Sequence, residues 1–84
     1  MNVRLSKKAT KYLSRLDTKT QERLKTALRE LSFEPMRGDI MPIAGQRNVY
    51  RDRAGDFRLL FTVYKEDNVI VIDKIAPRGE AYKN

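Results

Sequence analysis

The run FRLLFTVY, residues 57–64, constrains the fold more than any other stretch of the chain. After Arg58 it is apolar at odd and even positions alike, as expected of a central strand. Its neighbours are strand-like too. In NVYRDR, residues 48–53, Val49, Arg51 and Arg53 fall on one side and Tyr50 and Asp52 on the other. Ala54, Gly55 and Asp56 make the turn between the two. KEDN, residues 65–68, turns again, and VIVIDKI, residues 69–75, is the next strand. Connections this short imply an antiparallel meander, with Pro77 and Gly79 ending regular pairing.

The N-terminal half has a different period. Residues 2–5, NVRL, read as a short first strand, and SKKATKYLSRL, residues 6–16, as a helix with Ser6 as N-cap. Ala9, Tyr12, Leu13 and Leu16 form its apolar stripe. Asp17 or Thr18 caps a second helix, in which Thr18 and Gln21 have capping-box spacing. Leu24, Ala27, Leu28 and Leu31 repeat the stripe, while Lys19, Arg23, Lys25 and Arg29 form a basic, solvated outer face. The pattern predicts an α+β fold: two N-terminal helices packed on a twisted, mainly antiparallel sheet of about four strands. Residues 1–84 are read as one domain. The segment 34–47 holds two prolines and two glycines and is read as irregular, tacked to the core by Ile40, Met41 and Ile43.

Composition narrows the chemistry. The sequence has no cysteine and no histidine, so disulfides, thiolate metal sites and the usual neutral-pH base are excluded. No cofactor or metal and no small-molecule ligand is expected. No stretch has the length and apolarity of a signal core or membrane span, so a cytoplasmic setting without membrane contact is expected. The 18 Lys and Arg against 11 Asp and Glu leave a net charge of +7, which favours a polyanionic partner such as nucleic acid.

Arg51 and Arg53 share a strand face, and Arg58 follows a tight turn. If the two strands pair, the three converge near the hairpin, but one residue of slip would send Arg58 to the other face. Arg78 ends the neighbouring strand and Tyr82 follows four residues later. Two readings stand side by side. Arg51 and Arg53 are solvent-facing strand residues paired with Asp39, Asp52 or Asp56, and Tyr82 packs over the sheet edge. Alternatively they form an anion site, since guanidinium suits bidentate phosphate contact and a tyrosine can stack on an unpaired base. Fixed cations of this kind stabilise the charge that a phosphodiester gains as it passes through a five-coordinate state.

The runs MPIAGQRNVYRDRAGDFRLLFTV and IDKIAPRGEAYK resemble the RelE/ParE superfamily of bacterial and archaeal toxins. The matching elements are Pro42 to Gly45, then Tyr50, Arg51, Arg53, Gly55, Asp56, Phe57 and Arg58, then Arg78 and Tyr82, and the RLD junction between the helices. The likeness covers nearly the whole chain, through the order and spacing of these elements. It implies two helices on an antiparallel sheet and a toxin of a type II toxin–antitoxin pair. RelE-like members are metal-independent endoribonucleases that cut mRNA in the ribosomal A site by attack of the ribose 2′-OH. A cognate antitoxin, partly disordered until bound, silences them.

By position, the resemblance places Arg51 and Arg53 at a basic pair that is lysine-rich in RelE-like enzymes and includes the proposed general base. It places Arg58 on the scissile phosphate, Arg78 at the leaving oxygen and Tyr82 on an mRNA base. Arginine at 53 is a poor proton acceptor at neutral pH, so Asp52, Asp56 and Glu80 are candidate bases. The resemblance also admits a ParE-like inhibitor of DNA gyrase without nuclease activity, or a non-toxic basic nucleic-acid-binding relative.

Overall fold

The computed structural model describes residues 1–78. The chain runs β1 (Asn2–Leu5), α1 (Lys7–Ser14), α2 (Thr18–Leu31), β2 (Ile40–Pro42), β3 (Val49–Ala54), β4 (Phe57–Tyr64), a 3₁₀ turn (Lys65–Asp67) and β5 (Val69–Pro77). Capping residues mark both helix starts. Ser6 accepts the Ala9 N–H at 3.0 Å and donates to the Asp73 carbonyl, which ties the start of α1 to β5. Asp17, rather than Thr18, caps α2 by accepting from the Thr20 N–H and hydroxyl. Gln21 makes no capping box; its amide reaches back to the Leu13 carbonyl and joins the two helices.

The sheet has five strands in the order β1-β5-β4-β3-β2, so FRLLFTVY does take the central position. Four of the strands are those expected. The fifth is β2, in the segment read as irregular, and it pairs antiparallel with the edge of β3. β1 lies parallel to β5; the other pairings are antiparallel. β5 runs two residues further than expected, to Pro77 opposite Phe57. A bulge between Leu60 and Phe61 shifts its register against β4 and leaves Asp73 without a directly opposed residue.

Alternation along the strands separates two faces. Leu59, Phe61, Val63, Ile70, Ile72 and Ile75 point into the core with Ala9, Leu24, Leu28 and Leu31 from the helices. Tyr50 stacks on Phe61 with ring centroids 5.6 Å apart. The opposite face is less covered: Leu60 and Thr62 are half-buried and Tyr64 is exposed. β4 is therefore dry on one face only, because both helices lie on the same side. Ile40 packs on the core, Ile43 is half-buried, and Met41 instead points to the open face, opposite Arg51. The one-residue alternation of β2 sends Ile40 and Met41 in opposite directions.

Phe61 carries this packing at the centre of the sheet and is fully buried. Phe61→Ala should lower the unfolding free energy by about 3–5 kcal/mol, a large part of what a domain of this size possesses. Urea denaturation with an unchanged m-value is the check; a loss under about 1 kcal/mol would place the core elsewhere.

Candidate anion site at the end of the sheet

The β3–β4 turn sets the geometry. Gly55 takes a φ of +61° at the first of the two connecting residues, a conformation a side chain disfavours. The resulting register sets Arg53 opposite Arg58 and Arg51 opposite Leu60. All three arginines thus share the open face, which resolves the question of slip. Arg58 is also level with Ala76 of β5, and Arg78 follows two residues on. The backbone N–H of Arg78 donates to the Asp56 carbonyl at 2.8 Å, which holds the end of β5 against the turn.

Asp39, Arg53, Gly55, Arg58 and Arg78 line an open cleft of about 260 Å³. Among the described residues its walls therefore carry three guanidiniums and one carboxylate. Arg58 is only 7 % exposed, whereas Arg53 and Arg78 are open to solvent. Arg51, 8 % exposed, is not part of the lining. Its guanidinium donates to the Asp39 carbonyl at 2.7 Å and stands 3.6 Å from the Asp39 carboxylate. Arg53 donates from Nε to the same carboxylate at 2.5 Å. The pairing with Asp39 expected of Arg51 and Arg53 is present, but only Arg53 faces solvent, since Arg51 is buried; Arg58 and Arg78 complete the cationic lining. The Arg53 hydrogen bond and nearby positive charge hold the Asp39 carboxyl below the ordinary carboxylate range.

Asp52 is on the other side of the sheet. It is 2 % exposed on the core face and accepts the Asp39 N–H at 3.0 Å. Gly38 lies against it so closely that a Cβ there would meet the carboxylate at 2.7 Å. Burial pushes the Asp52 carboxyl up, opposed by the Asp39 N–H bond and assisted by the Asp39 and Glu30 carboxylates. Asp52 is separated from the cleft by the sheet, which excludes it as a base there. Asp56 lines a different and larger groove of about 360 Å³, between the hairpin and α2, with Thr20, Arg23 and Leu24 among its other walls. Tyr82 and Glu80 lie outside the described residues. Sequence reasoning did not place Asp39 in the cleft. It named Asp39 only as a pairing partner for Arg51 and Arg53, because its position depends on β2, which was not foreseen.

Three comparisons bear on the identity of this fold. The family model described as ParE toxin of type II toxin–antitoxin system, parDE, matches residues 3–82. The protein named RelE1 of Methanocaldococcus jannaschii is 35 % identical over 86 residues, covering 99 % of this chain and 96 % of that protein. RelE in the archaeal RelE–RelB complex of Pyrococcus horikoshii superposes with a TM-score of 0.80 at 31 % identity, covering 93 % of this chain and 94 % of that one. The isolated RelE toxin of Escherichia coli shares the fold, with a TM-score of 0.77 at 22 % identity over 96 % of this chain and 89 % of its own.

The back-face carboxylate is open to a direct test. A carboxyl whose pKa is raised by folding contributes stability that is fully present below its unfolded pKa of about 3.9 and is lost as pH rises through the folded value. Asp52→Asn keeps an acceptor for the Asp39 N–H and removes the buried charge. It should melt at a higher temperature than the parent at pH 7, and the gain should shrink towards pH 3.5. Asp52→Ala, which orphans the Asp39 N–H, should instead lose about 1–3 kcal/mol. Melting curves across pH decide both, and a gain for Asn that does not vary with pH would contradict the assigned cause.

Proposed function

We propose that this chain, which belongs to the ParE toxin family of type II toxin–antitoxin systems within the RelE/ParE superfamily, is a metal-independent endoribonuclease that cuts mRNA in the ribosomal A site. The observation that carries this reading is the convergence of Arg53, Arg58 and Arg78 on one open cleft at the end of the sheet. A scissile phosphodiester fits the charge of that cleft, and a backbone strand fits its openness.

In the proposed step the ribose 2′-oxygen attacks the adjacent phosphorus and its proton passes to a base. The bond from phosphorus to the 5′-oxygen breaks, leaving a 2′,3′-cyclic phosphate, and the departing oxygen takes up a proton. Charge on the non-bridging oxygens rises in between. Arg58, in the central strand and largely buried, is assigned the stabilisation of that charge. Arg78 reaches the leaving oxygen from the neighbouring strand. Arg53 adds to the field at the mouth of the cleft, Arg51 steadies Asp39 behind it, and Tyr82 supplies a stacking surface for a base. Asp39 is a weak proton acceptor, because Arg53 stabilises its ionised form.

A cognate antitoxin is the expected partner, and the relative from Pyrococcus horikoshii was solved as a complex of RelE with RelB. An acidic, amphipathic segment that orders on binding would match the basic open face. The second reading, a gyrase inhibitor, is favoured by the family model itself, which is the one for the ParE toxin.

Purified, antitoxin-free protein added to a translating extract should produce discrete breaks within mRNA, mapped by primer extension. Arg78→Ala, a change at an exposed position, should slow cleavage by roughly 100-fold with the melting temperature unchanged. Intact ribosome-bound mRNA with undisturbed translation would overturn the nuclease reading. Poisoned supercoiling by gyrase under the same conditions would establish the alternative.

A further inference from the structure

Among the described residues, Asp39 is the one negative group that lines the cleft. Its polar atoms are committed on every side. Its N–H donates to Asp52 at 3.0 Å. Its carbonyl accepts from the Arg51 guanidinium at 2.7 Å and from the Arg53 backbone N–H at 3.1 Å. Its carboxylate takes the Nε edge of Arg53 at 2.5 Å. An ordinary surface ion pair is loosely held and contributes little. Here the backbone of one partner is pinned from the core side of the sheet, and a side chain at the neighbouring Gly38 would run into Asp52.

We propose that Asp39 is a built-in counter-anion that holds Arg53 in the place of a phosphate oxygen and thereby sets how strongly the cleft binds a phosphate group. The proposal rests on reading the cleft as a phosphate site. The carboxylate engages Arg51 and Arg53, and Arg58 and Arg78 line the cleft beside it. A phosphate entering the cleft meets the lining to which Arg58 and Arg78 contribute and gains the Nε edge of Arg53 only by displacing Asp39 from it. This arrangement suits a site that must release its product. Without that carboxylate the cleft would hold a cleaved phosphate more tightly, whereas the internal carboxylate re-forms its bond to Arg53 as the product leaves. It also offsets the repulsion between Arg53 and Arg58, which face each other across the ladder when the cleft is empty.

The test is a titration with inorganic phosphate, followed through the arginine Nε–Hε resonances of the parent, Asp39→Asn, Arg53→Gln and the double variant. Asparagine keeps the backbone N–H that Asp52 holds, so the loop retains its anchor. Asp39→Asn should bind phosphate about three- to tenfold more tightly than the parent, with the Arg53 resonance moving on binding. In the Arg53→Gln background the same change should gain less than about twofold, because there is no longer an arginine to release. An equal gain in both backgrounds would reduce the effect to net charge and overturn the proposal. Unchanged or weaker binding in Asp39→Asn would overturn it as well, and would make Asp39 a positioning residue. If phosphate moved no cleft arginine in any variant, the phosphate-site reading would fall together with it. Parent binding without a gain in Asp39→Asn would sink this inference alone.

Discussion

Arg53 and Arg58 stand directly opposite each other across β3 and β4. Like charges in that relation destabilise a ladder, and most sheets avoid them. The register that imposes it is set by a two-residue connection through Gly55 and is not free to slip, because a shift of one would carry Leu59, Phe61 and Val63 out of the core. The apolar half of β4 therefore fixes the position of the cationic half. What offsets the repulsion is local: the Asp39 carboxylate on Arg53, delivered by the loop between α2 and β2. β2 is short and sits on the sheet's edge, so its main consequence is to set Asp39 beside β3.

The two faces of the sheet have different tasks, and Asp52 links them. The core face is otherwise apolar, so a carboxylate there loses hydration that one hydrogen bond only partly replaces. An apolar side chain at this position would pack as well but leave the Asp39 N–H without an acceptor. Asp52 thus connects core packing to the geometry of the open face. The coupling runs through one hydrogen bond, which depends on a backbone path at residue 38 that leaves no room for a side chain beside Asp52.

Much of this was legible from the residues. The helical stripes, the Ser6 cap and the central role of FRLLFTVY follow from periodicity and side-chain chemistry that act within a few residues of each other. The grouping of Arg51 and Arg53 follows from alternation. The remainder depends on contacts distant in sequence. β2 is three residues long and includes Pro42, so neither length nor propensity marks it; the exposed edge of β3 supplies the pairing. Without β2, nothing placed Met41 on the open face or Asp39 in the cleft. Asp52 misled as a candidate base for a related reason. Its neighbours in sequence are arginines, yet alternation puts it on the opposite side of the sheet from both. The tail residues Glu80 and Tyr82, assigned by resemblance, lie outside the described residues.

Arginine at position 53 and carboxylate at position 39 make better sense together than apart. A lysine ammonium is a compact charge on a flexible stem and, when its pKa is lowered, can take up a proton. A guanidinium cannot serve that way at neutral pH, but it presents several N–H groups in a fixed plane. Arg53 uses its Nε edge on Asp39, and its terminal nitrogens lie further along the same plane. One residue can therefore be held by the protein while the cleft is empty and turn its donors towards a ligand once the carboxylate is displaced. In the proposed reaction this moves the contribution of position 53 from proton transfer to electrostatics. The arginine lowers the energy of a charged phosphorane and leaves proton removal to a group outside the set Arg53, Arg58 and Arg78. Such a cleft depends on rigid charges more than on any titrating group within it. That fits a chain without histidine or cysteine, whose strongest constraints all converge on where three guanidiniums sit.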